Sequence, residues 1–230
     1  MSNVAVIPAR GGSKRVTNKN LREFKGLPLL AWSISAAKSS KLVDEVVVSS
    51  DCHNILAVAR EYGAIAMKRP LDLADDFSSA YDVGRYVYLN QLNTKPGYVI
   101  LLQPTSPLRE MHLIENGIKA IEKDDSIDRV IEVNSLRLFS GKVVNNIWMP
   151  DYPEDMRSQD IEETFFPSGR LYVYRAKTTM DINESEGNTS IILGDYERNI
   201  NIDYESDFEK LDFVYNNYKS DYEHLLSYYI

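Results

Sequence analysis

Hydrophobic and polar positions alternate along this chain between short apolar runs and longer amphipathic stretches. Asn3-Val4-Ala5-Val6-Ile7 is apolar and β-branched, the pattern of a strand buried on both faces. Glu45-Val46-Val47-Val48-Ser49 and Tyr98-Val99-Ile100-Leu101-Leu102 repeat it, and Ala64 to Met67 and Arg129 to Val133 are shorter versions. Leu171 to Tyr174 and Ser190 to Leu193 return to it late in the chain. Between these runs apolar residues recur at helical spacing. Leu29, Leu30, Ile34 and Ala37 predict a helix from Pro28 to Ser39, and Ile55, Leu56, Val58 and Ala59 one from Cys52 to Tyr62. Val83, Tyr86 and Val87 mark Ser79 to Leu92, and Leu113, Ile114, Ile118 and Ile121 mark Glu110 to Lys123.

Local punctuation supports these bounds. Pro28 suits a first helical turn, Asp51 stands where a cap for the second helix belongs, and Gly63 suits its C-terminal stop. Ser206-Asp207-Phe208-Glu209 has the form of a capping box, opening a last helix with Leu211, Tyr215 and Tyr218 on one face. The tail tyrosines Tyr222, Tyr228 and Tyr229 are expected to pack on the domain surface.

Strands alternating with helices in this way predict βαβ crossovers and a three-layer α/β/α fold with a mostly parallel, Rossmann-like sheet. Ligands of such sheets bind at the carboxyl ends of the strands, so the loops after Ile7, Val48 and Leu102 matter most. From Leu136 to Phe166 the rhythm breaks. That stretch is polar, holds Gly141, Pro150 and Pro153, and reads as an excursion within a single domain spanning 1–230.

Composition narrows the class. At 43% hydrophobic and 26% charged residues the chain can bury an ordinary core. No apolar run is long enough to span a membrane, and with Met1-Ser2-Asn3 leading directly into the first strand no signal peptide is expected. The one cysteine, Cys52, allows no internal disulfide. A cytoplasmic location is expected. A net charge of −8 argues against a nucleic-acid surface, yet Arg10, Lys14, Arg15, Lys19, Arg22 and Lys25 crowd the first 25 residues against the single acid Glu23. A local basic patch on an acidic protein suits a small polyanion, with a nucleoside triphosphate the obvious choice.

The chemistry concentrates where the first strand ends. Ala9-Arg10-Gly11-Gly12-Ser13-Lys14-Arg15, closed by Lys19-Asn20, combines glycines that let backbone N–H groups approach phosphate oxygens with cations that supply charge. It is neither the G-x-G-x-x-G of dinucleotide binders nor the G-x-x-x-x-G-K-[ST] of the P-loop. The histidines His53, His112 and His224 lie in unrelated segments, and no nucleophile–base arrangement is legible.

Together with Ser49-Ser50-Asp51, Arg69-Pro70 and Leu102-Gln103-Pro104-Thr105-Ser106-Pro107-Leu108-Arg109, this loop resembles the signature of the acylneuraminate cytidylyltransferases, the CMP-sialic acid synthetases. The resemblance implies a fold of the nucleotide-diphospho-sugar transferase type with a dimerisation insertion, and attack of a sugar hydroxyl on the α-phosphate of CTP with loss of pyrophosphate. It implies that Ala9, Arg10, Gly11, Gly12, Ser13, Lys14, Lys19 and Asn20 hold the nucleotide phosphates. Arg69 and Ala80 would lie by the base. Arg10, Lys19, Gln103 and Asp203 would carry the chemistry, with Asp203 and Asn201 toward Mg²⁺. Gln103, Thr105, Ser106, Arg157, Phe166 and Ser168 would face the acidic sugar. A homodimer is implied, with the 136–166 excursion at its interface, and neither nucleic acid nor membrane is an expected partner.

Two departures shift the acceptor question. Where the family shows an arginine followed by Pro-Asn-Gly, this chain has Phe166-Pro167-Ser168-Gly169, and where it often has Asp-x-Asp this chain has Asn201-Ile202-Asp203. The acceptor is therefore left open among a sialic acid, a legionaminic- or pseudaminic-type acid, and a sugar 1-phosphate with GTP or another triphosphate. A non-catalytic nucleotide-binding subunit is the alternative of another class.

Overall fold

A computed structural model describes residues 2–75, 77–90, 95–180 and 187–227. In chain order it contains β1 (Asn3–Pro8), β2 (Glu23–Phe24), β3 (Leu27–Pro28), α1 (Leu29–Ser39), β4 (Glu45–Ser50), α2 (His53–Glu61) and β5 (Ile65–Lys68). These are followed by α3 (Ala80–Asn90), β6 (Tyr98–Leu101), α4 (Leu113–Glu122), β7 (Arg129–Leu136), β8 (Gly141–Val144) and β9 (Ile147–Pro150). The last elements are β10 (Thr164–Arg175), α5 (Ala176–Thr179), β11 (Thr189–Leu193), α6 (Asp207–Asn217) and α7 (Lys219–Ser227).

Seven strands form one sheet in the order β11-β7-β10-β6-β1-β4-β5. Every neighbouring pair is parallel except the two made by β10, which runs antiparallel to both β6 and β7. Strand alternation splits the core into two layers. Val4 and Val6 of β1 pack with Val87 and Tyr88 of α3 on one face. Ala5 and Ile7 pack with Leu30, Ile34, Ile55 and the α4, α6 and α7 side on the other. The expected three-layer arrangement is therefore present. No helix among the described residues is long and apolar enough to cross a membrane.

Several local expectations change. Asp51 does not cap α2, whose N-cap residue is Cys52; its carboxylate turns to the loop after β1 instead. Ser206 makes no side-chain cap at α6; Asp207, the first helical residue, instead accepts from the Asp203 and Tyr204 N–H groups at 2.8 Å each and ties the preceding loop to the helix. Glu110 lies ahead of α4, its carboxylate drawn to Arg170. The excursion is also shorter than 136–166, because Thr164 to Pro167 pair with Leu136 to Val133 and so belong to the main sheet. It carries the hairpin β8–β9, turned by Asn145 and Asn146 at φ 50° and 65°, a left-handed pair that asparagine tolerates. Tyr222 is fully buried in the core rather than on the surface. Leu92, Tyr228 and Tyr229 lie outside the described residues.

Candidate active site

The loop after β1 is held by its own backbone and by the neighbouring strand. Ala9 N–H donates to Ser49 O at 3.0 Å, Gly11 N–H to Asp51 Oδ1 at 2.9 Å, and Ser13 N–H to Gly11 O at 3.0 Å. Gly11 is needed for closeness: a Cβ there would stand 2.8 Å from the Cβ of Cys52. Asn20, in the short turn Lys19–Leu21, folds back and donates to Arg10 O at 2.9 Å. The loop and this turn form one wall of a cleft of about 650 Å³.

Into that cleft converge Arg10, Ser13, Lys14, Lys19 and Asn20 from the loop, Arg69 after β5, Ala80 at the start of α3, and Gln103 and Thr105 after β6. Asp203, far along the chain, arrives ahead of α6. Lys19 Nζ donates to Ile202 O at 2.6 Å and lies 3.4 Å from Asp203 Oδ1, while Arg15 donates to the same oxygen at 2.8 Å. One carboxylate thus bridges two cations at the mouth of the loop and leaves the trio net positive. Burial lowers the Lys19 pKa, because a charged amine loses hydration, and Asp203 partly offsets this. Arg69 is only 5% exposed. Its Nη1 donates to Leu73 O at 3.1 Å, its Nε has no hydrogen-bond partner among the described residues, and burial lowers its pKa too. Arg10 reaches across the cleft to Asp75 O at 3.0 Å.

Other sequence-predicted residues stand apart from the lining. Ala9 is buried beneath the loop, and Gly11 and Gly12 shape it from behind and outside. Ser106 is fully buried behind Gln103. Ser168 is buried and donates to Glu132 Oε2 at 2.6 Å. Phe166 meets Tyr196 edge to face at a centroid distance of 6.0 Å. Arg157 is exposed on the excursion, paired with Asp160 at 2.7 Å. Asn201 touches the cleft indirectly, its amide donating to Asp203 Oδ2 at 3.2 Å.

Sequence reasoning left Arg15, Ser78, Ser79 and Asp75 unassigned, although all four line the cleft. Arg15 was visible as one cation among six; nothing local marked it as the partner of Asp203. Asp51 carried a signal, its place at a strand end beside the loop, but that same place favoured a helix cap.

A mostly parallel sheet that brings a basic, glycine-bearing loop and a carboxylate together at its strand ends defines a nucleotide-binding α/β protein. The family model described as cytidylyltransferase matches residues 4–220. The chain belongs to this family and is a CTP-using nucleotidyltransferase. It is 33% identical over 189 residues to a pseudaminic acid cytidylyltransferase of Campylobacter jejuni, covering 79% of this chain and 82% of the relative. It is 32% identical over 211 residues to a CMP-N,N'-diacetyllegionaminic acid synthase of Legionella pneumophila, covering 87% and 90%. An N-acylneuraminate cytidylyltransferase of Escherichia coli matches at 30% over 214 residues, covering 90% of this chain and 50% of the relative. The fold resembles that of a CMP:2-keto-3-deoxy-manno-octonic acid synthetase solved with CTP, with TM-score 0.72 over 94% of this chain and 99% of that one. At 17% identity this likeness concerns the fold alone.

Proposed function

We propose that the protein transfers the cytidylyl group of CTP to an acidic nonulosonic sugar, giving the CMP-sugar and pyrophosphate. The observation that carries this reading is the convergence of Arg10, Lys14, Arg15 and Lys19 with Gln103 and Asp203 in one cleft at the strand ends. Relatives named for pseudaminic, legionaminic and acylneuraminic acids support the acceptor class without choosing among its members.

In this reading the sugar hydroxyl oxygen bonds to the α-phosphorus as the bond to the bridging α–β oxygen breaks, and the hydroxyl proton is released. Such a reaction asks the protein for positioning and for charge neutralisation. Arg10 and Lys19 stabilise charge on the α-phosphate and on departing pyrophosphate, and Arg15 exchanges Asp203 for a phosphate oxygen. Arg69, with its unpartnered Nε, faces the nucleotide. Gln103 offers one donor and one acceptor to the sugar hydroxyls.

Mg²⁺ fits the donors at hand. Asp203 supplies one carboxylate and Asn201 an amide oxygen, and no group of three or more His, Cys, Asp or Glu suited to a metal occurs among the described residues. A cation held by few protein ligands and several phosphate oxygens suits that set. When bound, it would neutralise developing phosphate charge.

The excursion supports a homodimer. Val143, Ile147, Trp148 and Met149 of the hairpin β8–β9 are half or more exposed, and Arg157 lies nearby in sequence without lining this chain's own cleft. In a dimer Arg157 can serve the neighbouring subunit's acceptor site. The reducing cytoplasm, where CTP is made, is the proposed setting.

The test is pyrophosphate release from each nucleoside triphosphate with a panel of nonulosonic acids and hexose 1-phosphates, with Mg²⁺ and with chelator. Release with CTP and at least one nonulosonate, abolished by chelator, is expected. No release with CTP and any nonulosonate sinks the reading.

A further inference from the structure

Behind the Gln103 side of the cleft lies a mostly buried charged cluster, open to solvent at Glu110. Arg170 of β10 and Glu132 of β7 are each 2% exposed, with Arg170 Nε 3.1 Å from Glu132 Oε2. Arg170 Nη1 donates to Glu110 Oε1 at 3.2 Å, and its Nη2 also pairs with Glu110. Glu132 Oε2 accepts the Ser168 hydroxyl at 2.6 Å, and Ser168 Oγ in turn accepts the Arg170 N–H at 3.0 Å. Arg109, also buried, donates to Arg170 O at 2.8 Å, to Gln103 O at 2.9 Å and to Ser33 Oγ at 3.0 Å. Two guanidinium groups and two carboxylates balance one another. Burying such charges costs several kcal/mol per ion unless each is paired, and a hydrophobic replacement often serves stability as well. The cluster therefore calls for a role in geometry.

That geometry lies between Ser168 and Arg170. The register of β10 on β7 shifts between Pro167 and Tyr172, and Gly169 sits inside the shift at φ +81°. A Cβ on Gly169 would stand 3.1 Å from Ser106 Oγ and 3.3 Å from Gln103 Oε1. The Gln103 carboxamide therefore rests on the bare Cα of this bulge. Arg109 ties the main chain of Gln103 to that of Arg170, so bulge and glutamine move as one unit.

We propose that Glu132, acting through Arg170 and Ser168, is a positioning residue that fixes the Gly169 bulge beneath the Gln103 carboxamide and so controls the acceptor half of the reaction. The inference rests on the cytidylyl-transfer reading above. It assigns the cluster to acceptor handling and leaves CTP binding to the loop after β1.

The experiment measures acceptor turnover by pyrophosphate release and, separately, CTP affinity by calorimetry without acceptor, in wild type, Glu132→Gln and Gly169→Ala. Glu132→Gln keeps side-chain shape and removes the charge; Gly169→Ala leaves the ion-paired side chains unchanged but crowds the surface under Gln103 and, at φ +81°, strains the bulge backbone. Both variants are expected to lose on the order of tenfold or more in kcat/KM for the acceptor, since small misplacements at a reacting centre are costly, while CTP affinity stays within about twofold. If Glu132→Gln does not fold, Ser168→Ala, which removes the hydroxyl bond to Glu132 and leaves the ion pairs, takes its place with the same expected loss. Acceptor turnover within about threefold of wild type in Glu132→Gln or in Gly169→Ala, or a fall in CTP affinity as large as the fall in turnover, overturns the proposal. A wild type that binds CTP but releases no pyrophosphate with any acceptor overturns the cytidylyl-transfer reading and this inference with it. An active wild type with an unaffected Gly169→Ala overturns this inference alone.

Discussion

The loop after β1 lines the cleft and the bulge in β10 lies behind it, against Gln103, and the two are built in opposite ways. The loop presents backbone and long, flexible cations, held in place by single hydrogen bonds such as Gly11 N–H to Asp51. The bulge presents almost no side chain of its own and is held by an ionic cluster beneath the surface. Polyphosphate is a strong, many-oxygened anion, so a loop with mobile cations can meet it by charge. A sugar hydroxyl carries no charge, so its alignment depends on rigid placement of a neutral group such as Gln103. The contrast teaches that charge can be supplied locally, whereas orientation has to be imported from the packed interior.

The largest break in this comparison comes from the loop cations. Arg10→Ala or Lys19→Ala is expected to raise the barrier by about 3 kcal/mol, a loss on the order of 100-fold in turnover with CTP. A steady-state loss smaller than about threefold would place the triphosphate elsewhere. A milder effect follows from the strut under the loop. Asp51→Ala leaves the Gly11 N–H without its acceptor, and at roughly 1 kcal/mol for such a bond CTP affinity should fall about fivefold while acceptor KM holds steady. Calorimetric CTP binding checks this, and an acceptor-only defect would contradict it. The smallest effect on the cleft itself is expected from Trp148→Glu on the hairpin, which puts a charge into the proposed subunit contact. Light scattering should show the mass fall from a dimer toward the 26.3 kDa chain, with CTP affinity within about twofold. A wild type already monomeric at micromolar concentration removes the hairpin from the interface.

The two regions also differ in how far the chain announces them. The loop was legible because its chemistry is contiguous: a β-branched run, then Pro8, two glycines and three cations within a few residues. Gln103 was legible for the same reason, at the end of the most apolar strand. The cluster under the bulge was not. Nothing local to Glu132 or Arg170 announces their pairing; they meet only because β10 runs antiparallel beside β7. Asp51 was misassigned as a cap because cap and loop strut share one sequence position, and only the parallel pairing of β1 with β4 decides between them.

The sequence by itself therefore determined what periodicity and short-range chemistry can encode: the alternation of strands and helices, the parallel α/β class, the phosphate loop and the family resemblance. Tertiary structure decided the pairings between distant segments: Asp203 with Arg15 and Lys19, Asp51 with Gly11, and Glu132 with Arg170. The physical reason is range. Backbone preferences and apolar spacing act within a turn or a strand, while a carboxylate finds its guanidinium only after strand order, direction and register have brought them within hydrogen-bond reach.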